Sequence, residues 1–176
     1  NSSYFIKILR ENLDDEISIL IKEHPSQFSK EYTRYPESWR NEAFYKAINE
    51  FKNTFFLDIN TDLFLASENA IAVFNFGGNI GSELILREKH IVTIGHSWFS
   101  PCIPKHTIKN EKELISYSKN IYENEKVYKS NSKYYISLFK SICSSSCDAI
   151  AGSFFIYNRK EFFKINNIDE KENSKI

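Results

Sequence analysis

The stretch AIAVFNFGGNIGSELILREKHIVTIG, residues 70–95, holds three apolar runs separated by polar or glycine-rich connections. Ile, Val and Phe favour strands, and the GGN at 77–79 is typical of a tight turn. We therefore predict three short strands joined by turns, at residues 70–76, 83–88 and 90–95.

Two apolar runs upstream extend this pattern. FFLDI and DLFLAS, at 55–59 and 62–67, predict two further strands. The connections are too short for crossover helices, so consecutive strands are expected to pair antiparallel, as a meander. Downstream, AIAGSFFIYNRKEFFKI predicts a hairpin within residues 147–166.

About four helices are expected to flank these strands. Asn12 and the apolar spacing of Leu13, Ile17, Leu20 and Ile21 predict one helix, which ends at Pro25. A second is predicted to begin near Pro36, with a face formed by Phe44, Ala47, Ile48 and Phe51. A third begins at Asn110, where Glu113 completes a capping box, and its inward side chains are Leu114, Tyr117, Ile121 and Tyr122. A fourth is predicted to be capped by Ser132, with Tyr135, Leu138, Phe139, Ile142 and Cys143 inward.

The chain of 176 residues is long enough for one domain with a sizeable core. We predict a single α+β domain in which an antiparallel sheet, the meander plus the C-terminal hairpin, packs against the helices. Its parts are a helical segment (1–53), the meander (54–96), a loop and helices (97–146), the hairpin (147–166) and a polar tail (167–176).

Charge and cysteine content limit the classes of partner. Lys plus Arg and Asp plus Glu both number 23, so the chain lacks the basic surplus that binds nucleic acid. Apolar runs are shorter than a membrane span, so no membrane partner is expected. Three cysteines are an odd number, which favours a reducing compartment and predicts a cytoplasmic location.

The segment HSWFSPCIPKHT, residues 96–107, concentrates side chains that could carry chemistry. His96, Cys102 and His106 could bind a metal, with Cys143 and Cys147 as further ligands. Their spacing matches no zinc-finger pattern and the two groups lie on different elements, so we predict no metal and no cofactor.

A cysteine nucleophile is an alternative for the same segment. Cys102 could act with His96 or His106 as its base in a hydrolase or transferase. Reactive thiols gain from a helix N-terminus, but Cys102 lies between two prolines and the nearest predicted helix starts at Asn110. We therefore expect no catalytic residues and keep the thiol enzyme as the alternative.

Glycines at 77–81, GGNIG, could cradle a phosphate after a strand. The order G-x-G-x-x-G is absent, and the next segment is predicted to be a strand. A hairpin turn is therefore the expected role.

A protein-binding role fits the aromatic content and the lack of a catalytic constellation. Trp98 and Phe99 are adjacent, so in an extended backbone at most one of them points fully inward and the other could anchor a partner. The alternative is that both rings cover an open end of the core. We also assign partner contacts to five further residues, namely Lys105, His106, Asp58, Asp62 and Glu68. The acids could attract a basic partner.

The stretches AIAVFNFGGN and IVTIGHSWFSPC, the size and the Asn/Ile/Lys/Phe/Tyr-rich composition resemble the immunity proteins of bacterial contact-dependent growth inhibition and related polymorphic toxin systems. The resemblance implies a compact α+β domain without catalysis. It also implies that the chain neutralises one cognate toxin domain, often a nuclease, by covering its active site or substrate surface.

Overall fold

The computed structural model describes residues 2–24 and 40–145 of the chain. Within them lie six α-helices: α1 (Ser2–Asn12), α2 (Glu42–Asn49), α3 (Leu63–Ser67), α4 (Ile80–Leu86), α5 (Glu111–Lys119) and α6 (Ile121–Ser145). The strands are β1 (Ile19–Ile21), β2 (Thr54–Phe56), β3 (Val73–Asn75), β4 (Ile91–Ile94) and β5 (Thr107–Ile108). Two 3₁₀ turns, Ser100–Cys102 and Pro104–His106, join β4 to β5.

The described strands form two small sheets in which every pair is parallel. β1 pairs with β2, with Leu20 opposite Phe55. The second sheet has the order β3-β4-β5, with Phe74 opposite Val92. The α+β content was predicted correctly, but the antiparallel sheet is wrong.

The error arises from two predicted strands that are helices. DLFLAS forms α3, whose N-terminus is capped by Asp62: its carboxylate accepts the N–H groups of Phe64 at 2.8 Å and Leu65 at 3.2 Å. ELILRE contributes most of α4. Parallel strands need a crossover connection, and α4 supplies it between β3 and β4.

The helix predicted from Asn12 onward is also wrong. α1 ends at that residue, and the predicted apolar face includes Leu20 and Ile21, which lie in β1. The Arg10 guanidinium donates to the carbonyls of Leu13, Asp14 and Ile17, which fixes the turn out of α1.

The predicted second helix corresponds to α2. Asn41 caps it, because its side chain accepts the Phe44 N–H at 3.0 Å, and Ile48 is its buried residue. Pro36, where the helix was predicted to begin, lies outside the described residues.

The start of the third predicted helix is confirmed as that of α5, but α5 ends at Lys119, so Ile121 and Tyr122 of its predicted face lie in α6. Asn110 accepts the Glu113 N–H at 3.0 Å, while the Glu113 carboxylate accepts the Lys109 N–H at 2.8 Å. The fourth is wrong at its start, because α6 runs unbroken through Ser132, whose hydroxyl donates to Glu88 at 2.7 Å. Tyr122, predicted inward, is exposed.

Helices cover both faces of the β3-β4-β5 sheet. Neighbouring residues of a strand point to opposite faces. Accordingly, Ile91 packs in a cluster with residues of α4 and α6, and Val92 packs in another with residues of α1 and α5. The core therefore has two halves, one on each side of β4.

Two predicted segments, the hairpin at 147–166 and the tail at 167–176, lie outside the described residues. Among residues 2–24 and 40–145, no helix combines the length and apolar character needed to cross a membrane.

Candidate functional site

A glycine loop, residues 76–79, connects the carboxyl end of β3 to α4. It lies at the edge of the sheet where the parallel strands β3 and β4 both end. Asn75, the last residue of β3, fixes this loop through two hydrogen bonds. Its side-chain amide donates to the Gly78 carbonyl at 2.8 Å, and its amide oxygen accepts the Gly78 N–H at 3.1 Å. The loop is thus held in one shape while its own residues remain exposed.

Two glycines are required by this geometry. Gly77 has a φ of +93°, in the left-handed region that glycine adopts without a steric penalty. At Gly81, in the first turn of α4, a Cβ atom would lie 2.3 Å from the Phe99 ring and 2.5 Å from the Asn75 amide nitrogen. The absence of a side chain at Gly81 lets α4 approach Phe99 closely.

Ser97 follows β4, and its buried hydroxyl group lies at the same edge of the sheet as the glycine loop. The residue is 6% exposed, and its hydroxyl oxygen has no hydrogen-bond partner among the described residues. A Cβ at Gly77 would stand 3.5 Å from this oxygen and 3.9 Å from the His96 carbonyl. An unpaired buried hydroxyl costs about 1–3 kcal/mol, so a ligand that paired with it would recover part of that cost.

Cys102 lies in the core and not in a cleft. Its side chain is fully buried, and burial raises the pKa of its thiol to about 11, with the nearby Cys143 as a further cause. At neutral pH the thiol is therefore protonated. This is the environment of a structural cysteine and not of an activated nucleophile.

The two histidines proposed as bases for Cys102 have different surroundings. His96 is exposed at the end of β4, whereas His106 is buried and its ring nitrogens contact the hydroxyls of Tyr117 and Tyr135. Within the part of the chain that the structure describes, no three His, Cys, Asp or Glu side chains are grouped to hold a metal ion.

Trp98 and Phe99, predicted as partner anchors, both pack inward to different extents. Phe99 is fully buried against α4. Trp98 is half-buried and packs on Phe139, with ring centroids 5.4 Å apart. In this conformation Trp98 is the only one of the two that a partner could touch.

Of the five further residues predicted to bind a partner, the four charged ones are exposed, whereas His106 is buried and offers no surface to a partner. Asp58 and Asp62 also have local structural roles, since Asp58 accepts the Asn60 N–H at 2.7 Å and Asp62 caps α3. Lys105 and Glu68 lie on separate elements, on the second 3₁₀ turn and at the end of α3.

Sequence reasoning missed Asn75 and Ser97 as residues of the carboxyl edge. The signal for Asn75 was present, because an Asn directly after a β-branched and aromatic run and before two glycines is suited to closing a loop. Ser97 gave no such signal, since only the parallel pairing of β3 with β4 brings it beside Gly77.

A comparison of the chain with protein-family models, curated proteins and solved structures finds no match in any of the three.

Proposed function

We propose that this chain binds a phosphate-bearing small molecule, of the nucleotide class, at the carboxyl edge of β3 and β4. In sheets of parallel strands, ligands bind outside the carboxyl ends of the strands, and nucleotides are frequent occupants. The observation that carries the proposal is the glycine loop held by Asn75 directly beside the unpaired Ser97 hydroxyl.

The glycine loop suits a phosphate for steric reasons. Gly77 and Gly78 carry no side chain, so a phosphate oxygen can approach the backbone closely. The sequence G-G-x-x-G departs from the dinucleotide-binding order, so the proposal rests on topology and local geometry. The exposed His96 and the Ser97 hydroxyl add hydrogen-bonding groups at the same edge.

The test is a titration of the ¹⁵N-labelled protein with ADP, GDP, UDP and inorganic pyrophosphate. We expect at least one of them to shift the amide resonances of residues 76–80 and 95–97 in a saturable manner. If millimolar concentrations of all four probes leave residues 76–80 and 95–97 unshifted, the proposal is wrong.

Two serine variants separate binding from folding. Ser97→Ala should weaken binding about 10-fold, which corresponds to one lost hydrogen bond to a charged group. It should not destabilise the free protein, because the hydroxyl it removes has no partner among the described residues. Ser137→Ala, at an exposed position of α6, is the matched control and should bind as the wild type does.

A second proposal is that the chain is a cytoplasmic immunity protein that neutralises a cognate toxin domain by binding. The observation that favours it is an exposed apolar pair, Leu20 and Phe55, each 53% exposed and directly opposite each other in the β1-β2 sheet. Adjacent exposed apolar side chains are a feature of protein-binding surfaces. The exposed acids Asp58 and Asp62 could attract a basic toxin.

If a neighbouring reading frame encodes a toxin domain, co-expression of the two proteins tests this second proposal. The chain should restore growth and co-purify with the toxin, and Phe55→Glu should abolish both effects. Leu65→Glu, at an exposed apolar position of α3, is the control and should protect fully. A chain that neither restores growth nor co-purifies would contradict the immunity role.

A further inference from the structure

Five side chains form a buried histidine–tyrosine cluster away from the glycine loop, and each is at most 6% exposed: His90, His106, Tyr117, Tyr128 and Tyr135. The cluster joins the residue before β4, the second 3₁₀ turn, α5 and α6. The Tyr128 ring centroid lies 4.9 Å from the centroid of each imidazole. The cluster therefore links α5 and α6, which lie on opposite faces of the β3-β4-β5 sheet, to the start of its central strand β4.

The hydrogen bonds of His90 fix its tautomer. Its Nδ1 lies 2.8 Å from the Ile71 carbonyl oxygen, which can only accept, so Nδ1 carries the proton. In a neutral imidazole Nε2 is then an acceptor. The Tyr117 hydroxyl, 2.7 Å from Nε2, must therefore donate to it.

The same reasoning fixes His106. The Tyr117 hydroxyl has only one proton, which it gives to His90, so its oxygen accepts from Nδ1–H of His106. Nε2 of His106 is then the acceptor for the Tyr135 hydroxyl, 3.2 Å away. The result is a chain of bonds with one direction, from Tyr135 through His106, Tyr117 and His90 to the Ile71 carbonyl.

The surroundings favour neutral imidazoles. Burial lowers the pKa of His90 to about 4, and the smaller effects of Glu125 and Lys129 on α6 oppose each other. Burial also lowers the pKa of His106 to about 3, with His90 and Lys105 acting in the same direction. All four ring nitrogens contact uncharged groups, a carbonyl or a tyrosine hydroxyl.

The tyrosines of the cluster also remain neutral. Burial raises the pKa of Tyr117, with Tyr135 and Tyr128 as further causes. Burial likewise raises the pKa of Tyr128, and among the smaller contributions is the carboxylate of Glu88 at the end of α4. No tyrosinate is therefore present at neutral pH to balance an imidazolium charge.

We propose that the cluster is an acid-sensitive lock, in which neutral His90 and His106 hold the second 3₁₀ turn, α5 and α6 against the sheet and protonation opens this contact. An unfolded histidine titrates near pH 6.5, above both pKa values in the folded protein. The stabilisation is therefore fully present above pH 6.5 and decreases as the pH falls through the folded pKa values, about 4 for His90 and about 3 for His106. Opening would release the segment between β4 and β5, which includes Ser97.

The direct test is ¹⁵N NMR of the imidazoles in the wild-type protein. We expect both His90 and His106 in the Nδ1–H tautomer, with ring shifts that stay constant from pH 8 to pH 5. The ring resonances of the exposed His96 in the same sample serve as the internal reference. The proposal is overturned if His90 or His106 titrates near pH 6.5 in the folded protein, or is the Nε2–H tautomer.

Urea denaturation at pH 7 and at pH 5 tests the effect on stability. Both pH values lie above the pKa values of carboxylates. The unfolding constant of the wild type should rise about 20-fold for each buried histidine, about 400-fold in total. His106→Gln should reduce the rise to about 20-fold, whereas His96→Gln should keep it at about 400-fold. A rise of the same size in the wild type and in His106→Gln would contradict the lock.

Discussion

The two sheets of this chain differ in how their strands are covered. In β4, Ile91, Val92 and Thr93 are all completely buried, because helices lie on both faces of its sheet. In the β1-β2 sheet, by contrast, Leu20 and Phe55 are each 53% exposed. Strands of similar composition thus have opposite roles: one forms the centre of the core, and the other presents apolar side chains to solvent.

The comparison shows that tertiary coverage, and not strand propensity, determines what an apolar residue contributes. A parallel strand buried on both faces is a nearly continuous apolar run, as in IVTI of β4, where Thr93 is the one polar residue. ILI of β1 is equally apolar, yet its central residue is exposed. Substitutions at matched positions of the two sheets should therefore differ in their effect on the free energy of unfolding.

The largest difference is expected between Ile91→Ala and Leu20→Ala. Ile91 is fully buried, so its truncation should lower the free energy of unfolding by about 4 kcal/mol, through lost burial and a cavity. Leu20 is half exposed, and its truncation should cost less than about 1 kcal/mol. Urea denaturation of both variants measures this, and equal losses would contradict the assignment of β4 to the core.

A smaller effect is expected at the glycine beside the covered sheet. Gly81→Ala should destabilise the fold by about 3 kcal/mol, because the added Cβ would overlap the Phe99 ring and the Asn75 amide. Gly78→Ala is the matched control, since its Cβ would meet Asn75 at an ordinary 3.4 Å. Thermal and urea denaturation should separate the two, and a stable Gly81→Ala protein would show that α4 does not pack closely on Phe99.

The smallest of these effects is expected at the hydroxyl that links the two buried histidines. Tyr117→Phe should cost about 2 kcal/mol, because it leaves a nitrogen of His90 and one of His106 without their partner. Tyr122→Phe, at an exposed position of α6, should change the free energy of unfolding by less than about 0.5 kcal/mol. Chemical denaturation at pH 7 compares them, and equal stabilities would argue against the hydrogen-bond chain.

The predictable parts of the fold are those with strong local signals. The capping pair Asn110 and Glu113 determined the start of α5, and Leu114 and Tyr117 on its predicted face are buried. These signals involve residues within one or two turns of each other, so the sequence contains them directly.

The unpredictable parts are short apolar runs whose local pattern fits two structures. ELIL is apolar enough for a buried strand or a short buried helix, and periodicity cannot separate them at this length. The parallel pairing of β3 with β4 requires a crossover between them, which favours the helix, but that pairing is a long-range contact.

The same error affected the candidate site. The glycines at 77–81 were recognised as a possible phosphate cradle, and the hairpin interpretation was preferred because a strand was expected next. The structure has α4 there instead, so the hairpin turn is wrong and the glycine loop lies at a carboxyl edge. The position of the Ser97 hydroxyl and the assembly of the buried histidine–tyrosine cluster depend on contacts between residues far apart in sequence. No local sequence pattern indicates such contacts.

The arrangement of the glycine loop, the position of Ser97 and the two-sided core all depend on the parallel pairing of β3 with β4. A NOESY spectrum of the labelled protein tests it directly. We predict cross-strand contacts in the parallel register, Val73 with Ile91 and Phe74 with Val92, together with helical amide–amide contacts along residues 80–86. Close Hα–Hα contacts of an antiparallel ladder, with strand-type shifts at residues 83–88, would contradict it.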